Sequence, residues 1–133
     1  MKDLNNKVAL LTGASSGIGA VIANLLAQEN VTVIGVARSK SGLNNTKSII
    51  ENLGGEFHGI PFDISQTSKL SELKVQVANA IGEVDILINN AGIEEYNSFQ
   101  DYDLEYIEKI TTVNLIAGME LTRQFLPQML DRG

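Results

Sequence analysis

The residues whose spacing has the clearest chemical use run from Val8 to Gly19, VALLTGASSGIG. An apolar run, Val8 to Leu11, ends in Thr12-Gly13-Ala14-Ser15-Ser16-Gly17-Ile18-Gly19, and apolar residues at helical spacing (Ile18, Val21, Ile22, Leu25, Leu26) follow at once. A strand that passes into a helix through a glycine-rich loop aims unpaired backbone N–H groups and the positive end of the helix at one point. That point suits a phosphate. The plain alternative is a glycine turn with no ligand.

The other reactive side chains are sparse. There is no cysteine, which removes disulfides, thiolate metal sites and thiol nucleophiles, and no metal site is expected. The one histidine, His58, falls on a strand that reads as a sheet edge, and a structural role is expected for it. The three tyrosines, Tyr96, Tyr102 and Tyr106, have Gln100, Tyr106 and Ile110 four residues on, so none is followed by lysine at that spacing. A formal charge of -6 with 10 Lys+Arg argues against a nucleic-acid partner, because phosphate neutralisation needs a basic face. The longest uncharged apolar stretches fall far short of a membrane span, so no membrane contact and a cytoplasmic location are expected.

The elements that would position the loop alternate between strand and helix. Val31 to Ala37 reads as a second strand, followed by a helix with Ser41 as its N-cap and Leu43, Thr46, Ile50 and Leu53 on one face, stopped at Gly54-Gly55. Phe57 to Phe62 reads as a third strand, weakened by Gly59 and Pro61 and therefore expected at an edge. Asp63-Ile64-Ser65 leads into a helix that turns Leu70, Leu73, Val77 and Ile81 inward and stops at Gly82, with Asp63 or Ser65 as its cap. Val84 to Ile88 is the fourth strand. From Asp101 or Asp103 a long helix is expected to about Leu130, carrying Ile107, Ile110, Val113, Ala117, Leu121, Phe125 and Met129 on a broad stripe, with Pro127 ending or kinking it.

This alternation predicts one α/β domain over residues 1–133, a Rossmann-type three-layer sandwich with a parallel sheet and right-handed crossovers. The glycine loop after the first strand favours strand order 3-2-1-4 over the flavodoxin-like alternative.

The pattern TGxxxGIG between a strand and a helix, together with Asn89-Asn90-Ala91-Gly92 after the fourth strand, resembles the short-chain dehydrogenase/reductase family, in the branch that includes 3-oxoacyl-acyl-carrier-protein reductases. The resemblance implies roles for individual residues. Gly13 permits the tight turn, Gly17 lets backbone approach the pyrophosphate, and Gly19 allows close packing of helix on sheet; Ser15, Ser16 and Ile18 complete the cofactor loop. Arg38, at the end of the second strand, stands where NAD-binding members usually place an acidic residue and suits a 2′-phosphate, so NADP is the implied cofactor and NAD the alternative. Asp63 matches the residue that bonds the adenine amino group, with the backbone N–H of Ile64 reading a ring nitrogen. Asn89 fastens the sheet, while Asn90, Ala91 and Gly92 lie along the ribose side. Asn114 matches the catalytic-site asparagine that bends its helix and holds a proton-relay water, the alternative being an asparagine buried for packing.

In that family, hydride transfer to a carbonyl also needs a serine, a tyrosine acid/base and a lysine four residues after the tyrosine, all beyond the long helix. No YxxxK occurs in these 133 residues. The resemblance therefore implies the N-terminal part of the family's domain, ending before a fifth strand, with the cofactor site encoded and the hydride-transfer groups missing. The fourth strand and the apolar stripe of the long helix are then left uncovered, and a homo-oligomer through one or the other is expected. Two further readings stay open: a non-enzymatic interaction or scaffold module, and a half-enzyme completed by a partner chain.

Overall fold

Four strands form one parallel sheet in the order β3-β2-β1-β4, with β1 at Val8–Thr12, β2 at Thr32–Ala37, β3 at Phe57–Pro61 and β4 at Ile86–Ile88. The computed structural model describes residues 3–133. The register runs Leu10 beside Ile34 and Leu87, and Ile34 beside His58. Order 3-2-1-4 is the one expected from the glycine loop, and the flavodoxin-like alternative is set aside. The fourth strand is shorter than the Val84 to Ile88 run; Asp85 just before it donates its N–H to the Val8 carbonyl at 2.9 Å, and its side chain accepts the Val8 N–H at 2.9 Å.

Alternation along the strands sends side chains into two cores. On one face Ala9, Leu11, Val33 and Phe57 meet α1 (Gly17–Gln28) and α2 (Lys40–Asn52). On the other, Leu10, Ile34, Val36 and Ile60 meet α3 (Leu70–Ala80) and the C-terminal helix. Right-handed parallel crossovers require helices on both faces of such a sheet.

The helices correct several expectations. Of the large residues on α1, Ile18, Val21 and Leu25 face solvent, Ile18 with 75% of its surface exposed, whereas Gly19, Ala23 and Ala27 are buried. The reason is distance: α1 lies so close to β1 that a Cβ on Gly19 would fall 2.0 Å from the Gly13 carbonyl oxygen, so its inner face admits only small residues. Ser39, not Ser41, caps α2, accepting the Gly42 N–H at 3.0 Å. Leu43, Thr46 and Ile50 turn inward from that helix, but Leu53 is exposed. Neither Asp63 nor Ser65 caps α3, since a 3-10 turn at Thr67–Lys69 separates them from it; Asp63 bonds the N–H and hydroxyl of Ser65 instead.

The long C-terminal helix is continuous but not uniform. It comprises α4 (Leu104–Thr111), a π-helical segment (Thr112–Ile116) and α5 (Ala117–Asp131). Pro127 lies inside α5 without ending it. Its missing N–H leaves a carbonyl four residues back without its helical donor, at exposed Arg123. The expected stripe is buried at Ala117, Leu121 and Phe125 and only half-buried at Ile107, Ile110 and Val113. Among the described residues no helix is long and apolar enough to cross a membrane.

Candidate functional site

The strands' C-terminal ends converge on a cavity of about 990 Å³, within the range of sites that enclose a small ligand. Its floor is the loop after β1. Gly13 and Ala14 donate their N–H groups to the Val36 carbonyl at 2.8 and 3.3 Å, so the loop is pinned to the end of β2. Ser16 occupies the N-cap of α1 in an extended conformation, with φ at -164°, and its side chain bonds none of the first-turn N–H groups. There is also no acidic side chain in that turn. An uncapped helix start facing a cavity is the arrangement that binds an anion, since the unpaired N–H groups and the helix dipole act together. Gly17 takes φ +53°, and a Cβ there would meet nothing within 4 Å, so the backbone is open to close approach from outside.

A hydrogen-bond hub joins this floor to the end of β4. Thr12 Oγ1 accepts the N–H groups of Asn90 and Ala91 at 3.1 and 3.0 Å and donates toward the Ile88 carbonyl at 3.5 Å. The Asn90 side-chain amide donates to the carbonyls of Thr12 and Gly13 at 3.1 and 3.5 Å. The asparagine that fastens the sheet is thus Asn90. Asn89, expected in that role, instead donates to Thr122 Oγ1 at 3.1 Å and the Gly118 carbonyl at 3.4 Å on α5, because adjacent residues leaving a strand point to opposite sides.

Asn114 stands in the π-helical segment and clamps the next stretch of the same wall. Its Oδ1 accepts the Ile93 N–H at 2.8 Å and its Nδ2 donates to the Ile93 carbonyl at 2.9 Å. Both ends of the amide are engaged, so this side chain holds backbone. A π segment turns a residue outward from the regular ladder, which lets a helical asparagine reach a loop 21 residues earlier.

The cavity lining brings together nearly every residue singled out in the sequence: Gly13, Ser15, Ser16, Ile18 and Gly19 from the loop, Arg38 at the end of β2, Asp63 and Ile64 after β3, Asn90, Ala91 and Gly92 after β4, and Asn114. Gly17 alone does not line it; its contribution is the turn. Lining residues that sequence reasoning missed include Ser39, Ile93, Glu94, Lys109, Ile110 and Val113. Ile110 and Val113 carried a signal, their place on the apolar stripe, but that pattern was read as core, and only the half-burial shows that they face the cavity.

The ionisable side chains that line the cavity are Arg38, Asp63, Glu94 and Lys109. Beside the cavity, Tyr106 stacks on Tyr102 with ring centres 4.8 Å apart, and its hydroxyl is buried without a hydrogen-bond partner. Desolvation, then the neighbouring Tyr102 and Glu95, raises the Tyr106 pKa. That is the wrong direction for a tyrosine acid/base working near neutral pH. His58 bonds Glu56 at 2.9 Å on the rim of β3, away from the cavity lining, as a structural role requires.

A family model described as short chain dehydrogenase matches residues 7–133. Among curated proteins, the ketoacyl reductase HetN of Nostoc sp. (strain PCC 7120 / SAG 25.82 / UTEX 2576) is 49% identical over 133 residues, which is 100% of this chain and 46% of that protein. Among solved structures, a metagenomic short-chain oxidoreductase in complex with NADP superposes with a TM-score of 0.92 at 32% identity, over 98% of this chain and 60% of the other. The L-sorbose reductase of Gluconobacter frateurii, complexed with NADPH and L-sorbose, does so with a TM-score of 0.90 at 29% identity, over 98% of this chain and 51% of that one. The chain spans about half the length of the curated relatives it matches.

Proposed function

The chain belongs to the short-chain dehydrogenase family, and from that premise we propose that residues 1–133 form the dinucleotide-binding half-domain of an NADP(H)-dependent oxidoreductase acting on a carbonyl or alcohol. The observation that carries the reading is the uncapped start of α1 opening into a cavity lined by Arg38 at one end and Asn114 at the other. In this reading the first-turn N–H groups of α1, with Ser15 and Ser16, hold the pyrophosphate. Arg38 pairs with the 2′-phosphate, Asp63 and the Ile64 N–H take the adenine edge, and Asn90, Ala91 and Gly92 follow the ribose. The nicotinamide ring supplies hydride chemistry when bound. Asn114 acts as a positioning residue for the 89–93 wall.

Residues 1–133 hold no YxxxK, so on their own they bind the dinucleotide without transferring hydride. The bare β4 edge and the exposed α5 residues beside it support a second reading, in which this surface is an assembly face. A homo-oligomer, a scaffold role, or a partner chain that completes a half-enzyme each uses that face. We infer a cytoplasmic location, with which the cysteine-free composition is compatible.

Titration of the chain with NADPH and NADH, read by nicotinamide fluorescence, tests the main reading. We expect saturable binding with NADPH tighter than NADH, and loss of that preference in Arg38→Asp. No detectable binding of either dinucleotide leaves the assembly reading alone, and carbonyl reduction by these residues alone overturns the expected inactivity.

A further inference from the structure

Thr12 and Thr46 are the two polar side chains buried among the described residues, with 2% and 3% of their surface exposed. Thr12 belongs to the hub already described. Thr46 lies in the second turn of α2, far along the chain from the glycine loop, yet its hydroxyl sits 3.0 Å from the Ala14 carbonyl oxygen and 3.2 Å from the Gly42 carbonyl of its own helix. Ala14 is itself fully buried, and a buried carbonyl without a donor is costly. One turn earlier on the same face of α2, Gly42 meets the loop directly: a Cβ there would stand 2.8 Å from Ser15 Cβ and 3.0 Å from the Ser15 carbonyl oxygen. The helix therefore touches the loop at two consecutive turns, and its cap, Ser39, lines the cavity beside Arg38.

We infer that Thr46 is a positioning residue for the pyrophosphate loop: from α2 it fixes the Ala14 carbonyl and thereby ties the loop to the helix whose first turn flanks Arg38. This rests on the reading of the cavity as a dinucleotide site. Thr12 holds the loop from the β4 side and Thr46 from the α2 side, so the carbonyl of the residue before Ser15 and Ser16 is held by the Thr46 hydroxyl. Threonine supplies a donor on a side chain whose methyl group still packs in the apolar core, a combination that valine and alanine lack.

The test compares two ligands. NADPH contains a pyrophosphate; adenosine 2′-monophosphate carries the adenosine and 2′-phosphate without it. In Thr46→Val the dissociation constant for NADPH is expected to rise about tenfold while that for adenosine 2′-monophosphate changes less than about twofold, and Thr46→Ser, which keeps the donor, restores NADPH binding. Gly42→Ala reads the same coupling independently, pressing on Ser15 without removing a donor, and is expected to weaken NADPH more than the monophosphate. A lower unfolding midpoint with unchanged NADPH affinity reduces Thr46 to a helix back-bond to Gly42 and overturns the inference, as does equal weakening of both ligands. Failure of the unmodified chain to bind NADPH overturns the dinucleotide reading, and this inference falls with it.

Discussion

The sheet has two edges, and they are built differently. At β3 the outer strand ends in Pro61, which has no N–H to offer a neighbour, and Glu56 on the same rim accepts bonds from Thr32 and His58, both at 2.9 Å. Phe57 and Ile60 are buried beneath it, and Leu43 of α2 covers Gly59. At β4 the outer strand is Ile86, Leu87 and Ile88, with no proline and no charge, and all three are half-buried. Beside it, along the π-helical segment and α5, lies a depression of about 500 Å³ lined by Leu115, Met119 and Leu126 together with Asn89, Thr122 and Arg123, with Met119 exposing 64% of its surface. Natural edge strands are blunted by proline, charge or cover; β3 has a proline within it and cover from α2, whereas Ile86–Ile88 of β4 has no proline. An apolar, unblunted strand flanked by exposed apolar helix residues has the composition of a strand with a neighbour.

The largest effect should separate the edges by association. The chain is expected to self-associate at micromolar concentration through the β4 side, and Met119→Glu with Leu126→Glu should raise the dissociation constant at least about 100-fold by light scattering after size exclusion, because two carboxylates would be buried without partners. Ile49→Glu with Leu53→Glu, on α2 near the other edge, should leave it unchanged. A monomer at micromolar concentration breaks the contrast.

The next effect appears at matched positions. Leu87 and His58 stand on one register row of the sheet, joined through Leu10 of β1 and Ile34 of β2. Leu87 packs against the core under α3 and α5, so Leu87→Lys should lower the unfolding free energy by about 2 kcal/mol in urea titration. His58→Lys should stay within about 0.5 kcal/mol, since its ring stands at an exposed rim. Equal losses at both would mean that β4 tolerates charge no worse than β3.

How the sequence foretold this contrast is uneven. Pro61 and Gly59 marked β3 as an edge, and the Val84 to Ile88 run, uncharged at its centre, marked β4 as a strand needing cover. The cavity residues were legible because glycine spacing, Arg38 and Asp63 act where they stand in the chain. What periodicity cannot convey is which side of a stripe faces inward: α1 turns Gly19, Ala23 and Ala27 to β1 because the loop forces close approach, a constraint set by Gly13, six residues away. Thr46 was legible only as a member of an inward face; its bond to Ala14 spans 32 residues and has no local signature. That Asn90 and not Asn89 bonds the Thr12 and Gly13 carbonyls is a one-residue register question, and pattern reading does not resolve one residue at a strand end.

A smaller effect concerns what holds α5 beside the open edge. Arg132 donates to the Val84 carbonyl and pairs with Glu83 and Asp85 at 3.3 and 3.2 Å, just before β4 begins, while Asn89 bonds α5 just after it ends. Arg132→Ala should cost about 1 kcal/mol and speed hydrogen exchange in the last turn of α5 while sparing the β3 edge. Unchanged exchange there would leave Asn89 as the tie between α5 and β4.

The smallest effect tests whether the polar rim of β3 contributes energy or only bars a partner. The hydrogen bond from His58, then that from Thr32, holds the Glu56 carboxyl below its ordinary value of 4.5. A carboxyl lowered on folding adds stability that is complete above that ordinary value and disappears as pH falls through it toward the folded-state value. The deficit of Glu56→Gln should therefore be larger at pH 6 than at pH 3. The gap should be about 0.5 kcal/mol or less, because both partners face water. The decisive quantity is the difference between the two pH values. If Glu56→Gln loses the same amount at both, the ionised carboxylate adds nothing and the rim works by exclusion: proline and charge keep other strands away without strengthening this one. If the loss is confined to pH 6, β3 is stabilised by the same pair that blunts it.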